Sequence, residues 1–595
     1  MKSSPHNFHI PVMGLGFTID TPLKVAKYGI NSTVSIMDNE LVETVRQSIC
    51  EEYNLQFVAV TQNDTDFQAE RVTKYLNTLV EIIALQEQEI RELRGKAWEV
   101  IRKYIQLLPD KSGLKQLYNN ILASNGCDVV QAYEAVSKAI VFGQVEVNIM
   151  TKIDQPKYFK DGSCQDINAS PARAALRGFA NSKLNSSVVF SAGLNARLYS
   201  YCEEFADFFP VHKQAPLKTI IIKVSDYRSA LIQGKLLAKK GLWVSEFRIE
   251  SGINCGGHLF ITDGSLLGTV LEEFRNNREA LFAELQSIYI EGLHAKGFDT
   301  QDIYVPSLRI TVQGGVGTKA ENDFLQNYYN VDSVGWGSPF LLVPEATNVD
   351  VETLGKLANA KSEDYYISNS SPLGIPFSNF KNSSSNLQRF QRIERNRPGS
   401  PCYKNYLANN TQYSTESLCI ASRAFQIANI KAISAKNLSK EQYESEVEAI
   451  VEKECLCEGL SASAHIVRKA PLSHGLKAVS ICPGPNLAYF SGIRSLQEMV
   501  DHIYGRVNLI SKERPSMFLN EIVLYINYFK KEFDRRKVEV SAHKIDFETV
   551  KKKISGGIEY YEQLCKNSTL AKLILSARDV AHLSAIKIEL QTAFE

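Results

Sequence analysis

Two stretches decide the fold: Glu250–Phe260, ESGINCGGHLF, and Ile310–Glu345, ITVQGGVGTKAENDFLQNYYNVDSVGWGSPFLLVPE. Each contains an apolar run that ends abruptly in small residues. Strands ending this way are the units of a parallel α/β barrel, which keeps its chemistry at the carboxyl ends of its strands. ITVQGGVGT places Gly314, Gly315 and Gly317 at such an end, where bare backbone can approach a phosphate. The following AENDFLQNYY starts a helix whose positive end faces the same point. VDSVGWGSPFLL is a second strand, with Gly335 and Gly337 at its tip. Two consecutive strand–glycine–helix units form the phosphate grip that barrels build after their seventh and eighth strands. One imidazole, His258, stands upstream behind Gly256 and Gly257.

Working outward, the same rhythm continues. VEVNIMTK (145–152), SSVVFSAG (186–193), KTIIIKVSD (218–226) and WVSEFRIESG (243–252) are β-rich runs separated by helical ones, the βαβ alternation of a parallel sheet. The expected architecture is a (β/α)8 TIM barrel with a long helical insertion and a C-terminal, cysteine-bearing, mostly helical region. The barrel starts in 1–40, is interrupted by helices over 41–143, and resumes over 144–347. The centre of the insertion, Phe67–Leu108, is charged and periodic, as on a helix with a solvated face. It reads as a packed helical excursion, with a lid or an oligomer surface as alternatives. Residues 348–400, rich in Ser, Asn and Pro, read as an irregular excursion within a post-barrel region, 348–500, and 501–595 reads as a helical tail.

With 595 residues the chain has ample length for a buried core. A net charge of +1 gives no basic field, so nucleic acid is not expected as a partner. The N-terminus MKSSPHNFHIPVMG lacks a sustained apolar stretch, and no run of about 18 apolar residues suggests a membrane span. A cytoplasmic location is expected, where the 11 cysteines are thiols or metal ligands rather than a disulfide framework.

Five of those cysteines, Cys402, Cys419, Cys455, Cys457 and Cys482, gather in the post-barrel region, in PGSPCYKNY, ESLCIAS, ECLCEGL and SICPGPN. Prolines and glycines beside thiols are what cluster-binding loops use to turn N–H groups toward sulfur. The spacing is irregular, CLC is too tight for a zinc knuckle, and ordinary buried thiols are an equal alternative on pattern alone.

GINCGGH is similar to the EAGGH segment of the nitronate monooxygenase (2-nitropropane dioxygenase) family of FMN-dependent barrels. QGGVGT followed by DSVGWGSPFLLVPEA resembles that family's FMN phosphate loops. IPVMGLGFTIDT (10–21) resembles its first strand and loop, and YYISNSSPLGIPFSNFKN (365–382) the stretch after its barrel. The resemblance implies FMN contacts at Met13, Gly14, Asn148, Lys223, Gly256, Gly257, Gly314, Gly315, Gly317, Gly335, Gly337 and Ser338, with Trp336 walling the cofactor. It implies that His258 is the catalytic acid–base. One branch of the family, the decanoyl-acyl-carrier-protein dehydrogenase/isomerase type, also carries a [4Fe–4S] cluster on cysteines after the barrel. CLCEGLSASAH and ICPGPNLAYFSGIRSLQEMVDHIYG resemble that arrangement, which offers five candidates for four positions; Cys402, Cys419, Cys457 and Cys482 are weighted above Cys455, because the two thiols of CLC stand apart along an extended segment and CEGLSASA reads as a helix start that aims Cys457 inward.

The chemistry follows from the residue types. A flavin carries out hydride transfer while the protein holds it and supplies a proton donor or acceptor, for which an imidazole has a suitable pKa. The absence of GxGxxG after the first strand favours a mononucleotide over a dinucleotide. The leading expectation is an FMN oxidoreductase acting on a small-molecule or acyl-carrier substrate, with an iron–sulfur centre, an electron-transfer partner and, through insert or tail, a homo-oligomer. A nitronate monooxygenase using FMN and O2, with structural cysteines, is the alternative; an accessory barrel is the third. Cys255 is expected to pack under the flavin, Glu250 and Glu345 to hold neighbouring backbone, and His465 and His474 to be solvent-exposed.

Overall fold

The computed structural model describes residues 4–123, 129–156, 163, 166–191, 193–211, 213–299, 303–472, 475–538 and 545–592. Eight parallel strands close into a barrel in chain order: β1 (Phe8–Ile10), β2 (Asn31–Ser35), β3 (Val145–Met150), β4 (Ser187–Ser191), β5 (Thr219–Val224), β6 (Val244–Glu250), β7 (Arg309–Gln313) and β8 (Ser333–Gly335). Closure pairs Phe8 with Val334 and His9 with Gly335.

Alternation along the strands explains both faces of this barrel. Val147, Ile149, Ile222, Phe247, Ile249 and Val312 point outward and are wholly buried beneath the surrounding helices. The alternate residues point inward and are mostly polar, with Met150, Val189 and Ile221 as apolar exceptions. Arg248 is the centre: its guanidinium contacts Glu146 at 2.9 and 3.1 Å and Glu246 at 2.7 Å. Thr33 donates to Glu146 at 2.8 Å and Thr311 to Glu246 at 2.6 Å, so four strands share one buried ionic network. Burial works to raise the Glu246 carboxyl, but Arg248 and Arg309 hold it below the usual range. One layer further up, Ser35, Asn148, Glu250 and Gln313 of these strands, with Ser191 of β4 and Lys223 of β5, floor a cavity.

Five helices lie between β2 and β3: Asn39–Glu52, Phe67–Arg91, Ala97–Leu107, Gly113–Ala123 and Val129–Ala139. The long one buries Val72, Tyr75, Leu76, Leu79 and Ile82 on one face. It lies so close to the barrel helix Pro171–Ala180 that a Cβ on Gly178 would stand 2.6 Å from the Ala69 carbonyl oxygen. None of these helices lines the cavity, so among the described residues the insert is packing on the barrel's flank and not a lid.

The excursion after β8 is more regular than its composition suggests. Tyr365–Ser368 (β9) and Phe377–Phe380 (β10) form an antiparallel hairpin, and helices Val351–Ala358 and Ser384–Glu394 flank it. Four-residue strands written YYIS and FSNF offer too little alternation to be read as strands. Helices Met517–Val538, Phe547–Asn567 and Ala577–Thr592 follow as the tail. Among the described residues no helix is long and apolar enough to cross a membrane.

Removing one partner of a buried charge network leaves the others uncompensated, at about 3–5 kcal/mol. Arg248→Met should therefore lower unfolding stability by about that amount, read by denaturant titration. A loss below about 1 kcal/mol would show that the network contributes little beyond packing.

Candidate functional site

The carboxyl ends of the eight strands surround one large cavity, enclosing about 1360 Å³ with open solvent at its mouth included. Met13, Gly14, Asn148, Lys223, Gly256, Gly257, His258, Gly314, Gly315, Gly335, Gly337 and Ser338 all line it, as does Cys482. Two expected residues do not. Trp336 is fully buried and turned outward, its indole N–H donating to Asn322 at 3.3 Å and its ring meeting His502 edge-on. Gly317 lies beneath Arg514, whose guanidinium carbon would be 2.7 Å from a Cβ there.

The loop after β6 is shaped by contacts on both sides. Lys223 pairs with Glu250 at 2.8 Å, and Gln313 donates to the same carboxylate at 2.6 Å, so Glu250 organises side chains rather than the backbone expected. Glu345 does accept a backbone N–H, from Leu496. Asn254 is pinned by Met517 and Asn520 at 3.2 and 3.1 Å. Cys255 packs against Gln313, and burial holds its thiol far above the ordinary range, as suits a packing residue. A Cβ on Gly256 would stand 2.5 Å from the Cys482 carbonyl oxygen, so only glycine lets the two loops meet.

His258 is placed by the hairpin. Leu259 N–H donates to Pro376 at 2.8 Å, Ser378 N–H donates to Gly257 at 2.9 Å, and the imidazole meets the Phe377 ring edge-on at 5.2 Å. Its Nε2 lies 2.7 Å from Ser371 Oγ. Burial, then the charges of Lys152 and Lys223, hold its pKa down to about 4. Ser371 and Phe377 were not singled out in the sequence, where they sit inside a Ser-, Asn- and Pro-rich run.

The glycine turn after β7 differs from expectation in its cause. Gly315 has φ +77°, and a Cβ there would meet Asn254 Nδ2 at 2.0 Å before reaching any ligand. The helix Lys319–Tyr328 carries a capping box in which Glu321 takes the N–H groups of Gly317 and Thr318 at 2.8 and 3.2 Å. Its positive end is thus occupied by its own carboxylate, itself paired with Arg514 at 2.7 Å. What faces the cavity is the Gly314–Val316 turn, opposite Gly337 and Ser338. The ICPGPN segment, noticed for its cysteine, ties these loops together. Gly484 N–H donates to Ser338 at 2.6 Å, and Asn486 donates to the Val316 carbonyl at 2.8 Å.

The fit to a flavin can be judged from the floor. Asn148 Oδ1 is a buried acceptor without a hydrogen-bond partner among the described residues, and Asn148 lines the cavity; Gln313, also on the floor, is in hydrogen-bond contact with His9. Buried polar groups are nearly always satisfied, so Asn148 Oδ1 points to a ligand that brings a donor. The single N–H of a flavin ring edge suits it.

The thiols assemble differently from the expected set. Cys402 and Cys419 are in hydrogen-bond contact; this, then burial, raises the Cys402 thiol. Burial, then Cys402, pushes Cys455 up to about 11, and burial followed by Cys455 and Cys402 raises Cys457 well above its ordinary value. Cys482 stands apart under Gly14, its thiol pushed up to about 12 by burial. Cys455 therefore joins the group and Cys482 leaves it. Where helix Leu456–Val467 begins decides this: it sets Cys455 at its cap and turns Leu456, Cys457 and Leu460 toward the cavity. Among the described residues no group of three or more His, Cys, Asp or Glu side chains is arranged to hold a metal ion, so the expected cluster is not shown. Cys482→Ser should accordingly leave the iron content of anaerobically purified protein unchanged; loss of iron in that variant would restore Cys482 to a ligand set. His465 is buried, at 4% exposure, not solvent-exposed as expected, and His474 lies outside the described residues.

The tail closes the site from behind. Glu521, 1% exposed, accepts from Ser251 at 2.6 Å and from the Leu267 N–H at 2.9 Å, and Tyr525 meets Thr262 at 2.9 Å. Burial raises the Glu521 carboxyl from 4.5 to about 7. The folded protein then keeps a proton that the unfolded chain has lost, so stability falls as pH rises from 4.5 to about 7 and levels off above. The effect is on the order of 3 kcal/mol. Glu521→Gln should remove that part of the pH dependence in denaturation curves; an unchanged slope would show that Glu521 is ionised throughout.

No protein-family model and no curated protein matches the chain. Among solved structures it is similar to FabK from Thermotoga maritima, at 12% identity over 64% of this chain and 81% of that one, with a TM-score of 0.31. It is also similar to the enoyl reductase domain of MlnA from the macrolactin biosynthesis cluster of Bacillus amyloliquefaciens, at 13% identity over 66% and 91%, with a TM-score of 0.33. At such scores the overlap carries no argument about the site.

Proposed function

We propose that the chain is an FMN-dependent oxidoreductase acting on an acyl-type substrate. One observation carries the reading: a barrel's strand-end cavity in which the glycine turn Gly314–Val316 stands opposite Gly337 and Ser338, with Asn148, whose Oδ1 is a buried acceptor without a partner among the described residues, in its floor. Gly314–Val316 with Gly337 and Ser338 would hold the phosphate, and Met13, Gly14, Asn148 and Lys223 the ring. When bound, the flavin supplies hydride transfer.

The chain's own residues do the rest. Lys223, paired with Glu250, places a cation at the floor whose charge is already balanced, so it orients polar groups without attracting free anions. His258, facing the cavity, is within reach of a substrate's reacting group. Leu15, Met37, Met150, Ile153, Leu373, Phe377, Leu407 and Leu460 give the remaining wall an apolar surface that suits an acyl chain and excludes water. Nitronate oxidation with O2 would use the same cavity but has no need of so extended an apolar wall.

Heat release followed by chromatography should recover FMN; recovery of FAD alone overturns the mononucleotide reading. Gly315→Val should purify with little or no flavin, because its φ and Asn254 leave no place for a branched side chain. Reoxidation of photoreduced protein by an enoyl thioester under anaerobic conditions is expected, whereas turnover confined to nitronates with O2 would favour the monooxygenase.

A further inference from the structure

His258 offers two nitrogens, and they are not equivalent. Nε2 faces Ser371 Oγ at 2.7 Å, away from open space, because Ser371 is fully buried and does not line the cavity. A serine so enclosed is no nucleophile. Nδ1 has no hydrogen-bond partner, yet it is not among the buried unpartnered atoms of the described residues, and the His258 side chain lines the cavity and a smaller adjoining pocket. Nδ1 is therefore the nitrogen a substrate can reach.

The serine fixes which nitrogen carries the proton. Ser371 Oγ already accepts the Leu373 N–H at 3.2 Å. Its own O–H needs an acceptor in a site without water access, and Nε2 is the one within reach among the described residues. An imidazole accepting at Nε2 must carry its hydrogen on Nδ1 if it is neutral. We infer that His258 works as a neutral hydrogen-bond donor through Nδ1–H, and that Ser371 is the positioning residue that sets this tautomer.

The surroundings support neutrality. Lys152 and Lys223 both oppose a positive charge on the ring, Glu250 is already engaged by Lys223 and Gln313, and Phe377 and Ser371 contribute no charge. The low pKa that results makes the imidazole a poor base at neutral pH. A neutral N–H aimed at a carbonyl oxygen still stabilises the negative charge that develops there, as a histidine kept neutral does in other barrels. The inference rests on the proposed function only for the identity of that oxygen; the tautomer itself stands on the hydrogen bonds.

Uniform ¹⁵N labelling of the 10 histidines and long-range ¹H–¹⁵N correlation reads the tautomer directly. The His258 signals are those missing from His258→Gln. Between about pH 6 and 8 they should show a neutral ring protonated at Nδ1 in the wild type and in Ser371→Thr, and protonation at Nε2, the commoner tautomer of an unconstrained histidine side chain, in Ser371→Ala. A wild-type ring protonated at Nε2, or one that titrates in that range, overturns the inference, and the wild-type spectrum alone decides should Ser371→Ala not fold. In turnover, His258→Ala should lose about 10²–10³-fold, the usual effect of removing one such donor. His258→Gln, which keeps an N–H, should lose clearly less; equal losses count against a donor role. Failure to bind flavin would overturn the proposed function and leave the NMR result standing.

Discussion

The buried guanidinium of Arg248 is the constraint around which the barrel is arranged. Charges inside a barrel are tolerated only when every one is paired, and Arg248 meets that condition through Glu146 and Glu246, each further held by a threonine from a neighbouring strand. The usual barrel interior is layers of branched apolar side chains. Here β2, β3, β6 and β7 turn polar residues inward through the middle, so on that side the cavity floor continues the network below it, while Val189 and Ile221 keep the neighbouring strands apolar. Asn148 and Glu146, or Glu250 and Arg248, are two residues apart on one strand. A shift in the lower layer is therefore transmitted along rigid strands to the upper one.

A barrel so arranged still leaves its loops to be held, and segments from after the barrel do this. The hairpin Tyr365–Phe380 fastens Gly257 and Leu259 on either side of His258. ICPGPN ties Val316 to Ser338, and Arg514 with Met517 closes on Glu321. Each contact engages backbone or a buried polar group, which costs free energy to leave unsatisfied. The region beyond β8 is thus part of the site's construction, and the barrel alone would present a looser cavity.

Legibility in the sequence followed the strength of the local pattern. Most strands could be read because Val, Ile and Phe recur in short β-rich runs between helical ones, several of them ending in glycine, and the polar residues in NSTVS, VEVNIM and VSEFRIE lie on the interior face. His258, Asn148, Lys223 and most cavity glycines could be placed for the same reason: strand ends converge. Ser371 could not, since nothing local distinguishes it within NSSP and its partner is distant in the chain. The thiols show a different failure. The helix start read at CEGLSASA is present and turns Cys457 toward the cavity, but spacing carries no information about which distant thiols meet, and Cys455 rather than Cys482 stands with Cys402 and Cys457. Trp336 was misjudged because a strand tip exposes alternate residues to opposite sides, and its neighbours at 335 and 337 hold the inward ones.

Charge accounting around the cavity points to one kind of chemistry. Lys223 is matched by Glu250 and Arg514 by Glu321, while Lys152 rests on the face of Phe260 at 5.6 Å. The thiols at or near the wall are held protonated by burial, and the imidazole is held neutral. No strongly basic or nucleophilic group is left facing the space where a substrate would lie. A site of this composition gains little from Coulombic capture of an ion, and it gains more from fixed dipoles acting in a water-poor enclosure, where hydrogen bonds are stronger than in solvent. Under the proposed function, such a site would suit a substrate with one carbonyl to be polarised and an apolar remainder to be covered, with the redox step left to the flavin.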